Sequence, residues 1–285
     1  MMAIAKFFGI LSFRADAPVC IGTQEERNIV YALRLPEGRG FLIPATSWKG
    51  AFRAIAERLA QKLQMSDLER LAIDNPRDEN FKERSSDLIE RFRNALEGRE
   101  SYPASKEEIL KVLKELGYTD DEIEREQPHN LLKTFLDYYD PVGKLFGNST
   151  WASSIRFMDT ILPYNSQRRP GIGINRSTGT VNEGSLYYTE TTPAGITIKL
   201  NIFGELNTSD PTPLKLLAST IEAVKLVGLT LGRKKSSGLG ILMLSDARFH
   251  VVKLDEDKDG SLLANPFKTP AKTIDEFITW LRYNK

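Results

Sequence analysis

The segment best equipped for chemistry is Gly232-Arg233-Lys234-Lys235-Ser236-Ser237-Gly238-Leu239-Gly240. Its glycines permit close approach of backbone to a ligand. Between the glycines, Arg233, Lys234, Lys235 and the hydroxyls of Ser236 and Ser237 suit phosphate oxygens. The glycine spacing is not that of a Walker A loop, and an apolar strand-like run follows rather than a helix. The same residues also read as a solvated basic turn after a helix C-terminus, where cations offset the dipole. A second segment, residues 163–184, is polar and glycine-rich and carries Tyr164, Arg168, Arg169 and Arg176. Asn175-Arg176-Ser177-Thr178-Gly179-Thr180 is turn-forming, so the segment reads as an extended hairpin offering arginines to a polyanion, or as a solubilising loop. A third is Ala45-Thr46-Ser47-Trp48-Lys49-Gly50-Ala51-Phe52-Arg53. Thr46 or Ser47 can cap a helix there, and Lys49 and Arg53, four apart, project from one face near the unpaired amides. Amides, dipole and two cations together predict a phosphate seat.

Other reactive residue types are sparse. Glu25 and Glu26, in a polar loop after the first strand, could bind a divalent metal that helps cleave a phosphodiester, or could simply be solvated charge. The two histidines, His129 and His250, have no Ser or Cys partner nearby in sequence, so both read as structural. The single cysteine, Cys20, sits in a strand-like run and reads as a small buried hydrophobe. One cysteine excludes an intramolecular disulfide framework and a multi-thiolate zinc site.

Elements must position these groups. Residues 4–22 are rich in β-formers. A loop follows, then a short apolar piece at 29–33 and a turn at 36–40. Trp48, Phe52 or Ala51, Ile55 and Leu59 make the buried stripe of a helix. Residues 62–135 are highly charged and helix-prone, with breaks at Asp74–Pro76, Ser101–Pro103 and Gly117–Asp120. They read as a helical insertion of two or three amphipathic surface helices. Asp140–Gly147 reads as a tight connector, and Ser153–Asp159, Ser185–Glu190 and Ile196–Leu206 as strands. Pro211–Leu231 is an amphipathic helix, Leu239–Val252 a strand and Thr273–Tyr283 a short helix. Without the insertion the order is strand, helix, strands, helix, basic loop, strand. That predicts an α+β, ferredoxin-like (RRM-like) antiparallel sheet with helices on one face, a helical insertion and a long hairpin. The core falls at about 1–61 and 136–254, the insertion at 62–135 and a C-terminal extension at 255–285.

The chain has 285 residues, 41% hydrophobic and 27% charged, with a net charge of +1. It is long enough to bury a core without staples. No apolar run approaches the roughly 20 residues of a membrane helix, and the apolar N-terminus is too short and wrongly flanked for a signal peptide. A cytoplasmic location is expected. Charge is segregated: residues 62–130 carry a balance of −6, while 1–61 and 140–240 carry +3 and +4. The parts outside the insertion therefore favour a polyanionic partner.

Several segments together resemble a known family. Ile43-Pro44-Ala45-Thr46-Ser47-Trp48-Lys49-Gly50-Ala51-Phe52-Arg53 resembles the Ile-Pro-Gly-Ser-Ser-Leu-Lys-Gly-x-x-Arg motif of CRISPR-associated RAMP proteins. Gly232–Gly240 is similar to their C-terminal glycine-rich loop, and Asp140–Gly147 to their Pro-x-x-x-Leu-Phe-Gly element. Gly173–Thr180 followed by Glu183–Tyr187 is similar to the hairpin of the multi-copy backbone subunits of type III effector complexes. The matches run in the family's order from residue 5 to about residue 250. The resemblance implies an RNA-binding ribonucleoprotein subunit in antiviral defence, polymerised along CRISPR RNA. Its partners would be CRISPR RNA, complementary target RNA, other RAMP subunits and copies of itself, with no membrane. Lys49 and Arg53 would face the RNA. The hairpin with Arg168, Arg169 and Arg176 would wedge between guide and target bases. Arg233, Lys234, Lys235 and Ser236 would contact the RNA backbone.

Three departures bear on this. Ala45 replaces a glycine of the motif. Asp140 and Gly143 stand where relatives often place zinc-binding cysteines, so no such zinc is expected. Glu25, or Glu26 in a shifted alignment, stands where relatives place a target-cleaving Asp. Metal-dependent RNA cleavage within the assembled complex would then use one of these glutamates with magnesium or manganese, and no tightly bound cofactor is expected. The alternatives are a metal-independent endonuclease that processes precursor CRISPR RNA, for which the N-terminal histidine of such relatives is missing, and a non-catalytic capping subunit.

Overall fold

The computed structural model describes residues 4–22, 25–26, 29–34 and 40–283, with Glu25 and Glu26 described in their backbone alone. The turn read at Pro36–Arg39 and the loop positions 23–24 and 27–28 lie outside the described residues. In chain order the elements are β1 (Ile4–Ala15), β2 (Glu25–Glu26), β3 (Ile29–Val30), β4 (Phe41–Ile43) and α1 (Ala45–Ala60). Six helices follow: α2 (Asp67–Asp74), α3 (Phe81–Arg84), α4 (Ser86–Leu96), α5 (Lys106–Glu115), α6 (Asp120–Arg125) and α7 (Pro128–Tyr139). Then come α8 (Pro141–Phe146), β5 (Ile155–Phe157), β6 (Thr160–Leu162), β7 (Gln167–Gly171), β8 (Tyr187–Thr191) and β9 (Thr197–Asn207). The chain ends with α9 (Pro211–Val227), β10 (Leu229–Thr230), β11 (Ile241–Lys253), α10 (Ser261–Ala264), β12 (Lys272–Thr273) and α11 (Ile274–Tyr283). It forms two compact units, Met1–Ile55 with Ile155–Ser209 and Ala218–Lys285, and Ala56–Ser154 with Asp210–Leu217. The division falls inside α1 and α9.

The first unit is built on the sheet β10-β11-β1-β9-β5, with β12 also paired to β11. Taking β1, β5, β9 and β11 as the four core strands, the order is fourth, first, third, second, and every neighbour is antiparallel. Helix α1 links the first two core strands and α9 the last two. This is the ferredoxin-like arrangement the element order predicts. Strand β1 alternates strictly, with Ala5, Phe7, Leu11 and Phe13 buried on one face and Lys6, Phe8, Ile10 and Ser12 less so on the other. On the buried face Phe13 stacks on Trp48 of α1 at 5.5 Å, and Phe52 meets Phe157 at 5.3 Å. Phe7 and Phe249 pack against Phe277 of α11 at 5.5 and 4.0 Å. Two smaller sheets carry the peripheral strands: β2-β3-β8-β7, and β4 with β6.

The second unit has its own core. Ala72, Phe92, Ile109, Leu113, Leu132 and Phe135 are among its buried side chains, from α2, α4, α5 and α7. Residues 62–135 thus hold more than surface helices: their charged outer faces cover a shared apolar core. Helices α2 and α6 begin with capping boxes at Ser66–Glu69 and Thr119–Glu122. Arg77 is nearly buried between Asp137, at 2.7 Å, and Asp140.

Other expectations need correction. β1 stops at Ala15 rather than 22, and α9 stops at Val227 rather than Leu231, because Gly228 turns the chain into β10 with φ +70°. Asp140–Gly147 is a short helix, not an open connector, and Asp140 caps it by accepting from the Val142 amide at 2.9 Å. Helix α1 begins at Ala45, two residues earlier than a Thr46 cap allows and three earlier than a Ser47 cap, and its buried stripe is Trp48, Phe52, Ala56 and Ala60.

Candidate nucleic-acid interface

Strands β7 and β8 form the base of the hairpin, with Arg168 opposite Glu190 and Arg169 opposite Thr189. Pairing resumes at Ile174 and Val181. The tip is Asn175–Thr180, where the Asn175 carboxamide oxygen accepts from the Ser177 amide at 2.9 Å and its carbonyl from Gly179 at 2.8 Å. Arg176 is exposed on this tip.

Alternation gives the hairpin base two chemically different faces. On one, Glu190 is 2% exposed and its carboxylate takes both oxygens to Arg34 Nη2 at 2.9 Å, with Arg168 Nε at 3.7 Å. Arg34 Nη2 also donates to Ser166 Oγ at 2.8 Å. A cleft of about 260 Å³ opens here, lined by Arg34, Gly40, Phe41, Tyr164, Asn165 and Ser166. On the other face, Lys234 reaches Thr189 Oγ1 with its ammonium at 2.7 Å and lies 3.9 Å from the Tyr187 ring centroid. This cation–π contact and hydrogen bond make Lys234 a strut between the basic loop and the hairpin.

The loop glycines serve the chain itself. Gly232 has φ +88°, and a Cβ there would lie 2.2 Å from the Cys20 carbonyl oxygen. Gly240 has φ +75°, and its Cβ would lie 1.9 Å from the Leu231 oxygen. The space at Gly232 allows Arg233 N to donate to Cys20 O at 2.8 Å, and the space at Gly240 admits the Leu231 carbonyl, while Gly240 N donates to Pro18 O at 2.9 Å. The close approach expected toward a ligand is, at these two positions, an approach to the chain itself, at Cys20 and at Leu231. The segment 18–20 is tied to the hairpin base, since Thr192 N donates to Val19 O at 2.9 Å. Between the glycines, Lys234 adopts a left-handed conformation, φ 54°. That turns Arg233, Lys235 and Ser236 to solvent, where all three are exposed. Arg169, Arg176, Arg233 and Lys235 make no salt bridge among the described residues. Cys20 is buried beside Val30 and Leu239. Burial raises its thiol pKa, partly offset by Arg233 and Lys234, so it stays a protonated apolar filler.

Lys49 and Arg53 stand half-buried on α1. The amide end of this helix is not open: Ala45 N donates to the Asp159 carboxylate at 2.6 Å. A carboxylate already satisfies the first amide and opposes a phosphate there, so any phosphate contact falls to the side chains of Lys49 and Arg53. Glu25 and Glu26 form β2, paired to β3, and their side chains lie outside what is described. The described residues hold no group of three or more His, Cys, Asp or Glu placed for a metal ion. His250 contacts Thr269 O at 2.9 Å and the Phe267 ring at 5.1 Å, a structural setting.

Arg34, Thr189, Glu190 and Tyr187 were not legible as site residues. Arg34 and Glu190 are 156 positions apart, and the parallel pairing of β3 with β8, four residues before Arg34, brings this part of the chain to Glu190.

Residues 12–242 match the family model of the RAMP superfamily. The chain belongs to the RAMP superfamily. A search of curated proteins gives no significant match. Membership makes this a CRISPR-associated RNA-binding protein, and the ferredoxin-like sheet agrees with it. No helix among the described residues is long and apolar enough to cross a membrane.

Proposed function

We propose that this RAMP protein is an RNA-binding backbone subunit of a type III ribonucleoprotein effector in antiviral defence, present in several copies along one CRISPR RNA. The observation that carries the reading is the basic edge made by the hairpin and the glycine-rich loop. Arg168, Arg169, Arg176, Arg233 and Lys235 are exposed on two segments held together through Lys234 and residues 18–20. Cations on a fixed support suit a phosphate backbone, which offers the same charge at every nucleotide and so permits repeated binding along a strand. The exposed Ile172, Ile174, Val181 and Leu186 on the same hairpin supply apolar surface for bases. Lys49 and Arg53 on α1 are further proposed phosphate contacts through their side chains.

The test is binding of single-stranded RNA across a salt series. Each phosphate neutralised contributes about 0.7 to the slope of log K against log salt. Arg169→Ala, Arg233→Ala and Lys235→Ala are each expected to lower that slope by about 0.7. Unchanged slopes in all three would move the RNA elsewhere on the protein.

Target cleavage is a separate proposal resting on Glu25 and Glu26 with magnesium or manganese. The assembled complex containing Glu25→Ala is expected to bind target RNA and leave it intact. Cleavage equal to that of the native complex removes Glu25 from the site.

A further inference from the structure

The face of the central sheet opposite the helices presents a second set of groups suited to RNA. Register places Arg156, Phe203 and Phe8 in one row across β5, β9 and β1. Arg156 lies over the Phe203 ring at 5.8 Å. Lys199 and Asn201 point to the same face of β9 as Phe203, because side chains alternate. Arg156 and Lys199 are exposed and make no salt bridge among the described residues. The cations nearer β11 are already engaged: Lys6 with Glu205 at 2.9 Å, Arg14 with Asp16 at 2.6 Å, and Arg248 with Asp246 at 3.7 Å. Phe8 is flanked by Phe267 of the C-terminal segment at 5.0 Å. The β5–β9 side therefore carries two unneutralised cations around an aromatic ring.

From this juxtaposition we infer that the open sheet face around Phe203, Arg156 and Lys199 is a second contact surface for single-stranded RNA, distinct from the hairpin and loop. Positive charge without acidic partners meets phosphates, and the half-buried ring offers a platform on which any base can stack. A protein partner would need carboxylates placed to match both cations, whereas any stretch of RNA supplies phosphates. The inference rests on the RNA-binding reading above.

The experiment compares full-length native protein, Arg156→Glu/Lys199→Glu, Phe203→Leu and Arg233→Ala in binding a single-stranded RNA of about 30 nucleotides, with the mass of the free protein recorded alongside. Circular dichroism spectra and thermal midpoints check that each variant is folded. The double reversal is expected to weaken binding about tenfold and to flatten the salt slope by at least about 1.4. Phe203→Leu, which keeps an apolar side chain in place, is expected to weaken binding at least about fivefold with the slope unchanged. Weaker binding by Arg233→Ala with native binding by both sheet-face variants overturns this surface and leaves the hairpin reading standing. Altered self-association with unchanged RNA binding assigns the face to protein contact and also overturns it. Absence of RNA binding by the native protein overturns both readings.

Discussion

Within one tripeptide of the basic loop, neighbouring cations have different work. Lys234 spends its charge inside the protein, on Thr189 and the Tyr187 ring, while Arg233 and Lys235 face solvent. Lys234→Met is therefore expected to leave the salt slope of RNA binding unchanged and to speed amide hydrogen exchange in β8 and residues 232–240. A slope lowered by about 0.7 would instead make Lys234 a phosphate contact. Glu190 is the matching anchor on the other face of the hairpin. Glu190→Gln is expected to cost about 1–3 kcal/mol in denaturant unfolding, below the figure for a wholly buried pair because Arg34 is partly exposed. An unchanged midpoint would make the Arg34–Glu190 pair dispensable. The cationic residues were legible from sequence because charge runs and turn signals are local. Their division into struts and exposed contacts was not, because it depends on which strand each side chain meets.

Helix starts and glycine turns decide how these groups are held. A Cβ at Gly240 has nowhere to go, and positive φ adds strain, so Gly240→Ala is expected to destabilise the protein by about 1–3 kcal/mol or more and to loosen the basic loop. Chemical denaturation reads the first effect, and a native-like midpoint would contradict the packing described. In the second unit, burial first and Glu115 second raise the Tyr138 phenol to about 12, and burial raises Tyr139 as well. An unfolded tyrosine ionises near its ordinary value, so the stabilisation is complete below about pH 10 and is lost as pH rises toward 12. Absorbance at 295 nm should show phenolate appearing late in the native protein, and Tyr138→Phe should flatten the fall in thermal midpoint between pH 10 and 12. Periodicity made β1, β9, α9 and the breaks at 74–76 and 101–103 readable, since alternation and threes-and-fours spacing are properties of the local chain. The start of α1 is not legible in its own residues, because the carboxylate that caps it, Asp159, comes from a segment more than a hundred residues away. The short helix at Pro141–Phe146 was hidden by Gly143, whose lack of a side chain makes room for Asn148 and signals a turn when read alone.

At the scale of the whole molecule, the strand order was recoverable because a strand–helix–strand–strand–helix–strand sequence leaves few ways to cover one face of an antiparallel sheet. The core of residues 62–135 is hidden in the sequence, because charge density conceals buried positions such as Phe92 and Phe135 that meet only after folding. The central claim is that this RAMP protein repeats along RNA. The most direct measurement is the mass of complexes formed with single-stranded RNAs of increasing length, by native mass spectrometry at low and moderate salt. The predicted result is a copy number that rises in steps of one as each added stretch of RNA completes a further site. A single copy on every length would contradict it and favour a capping or processing subunit.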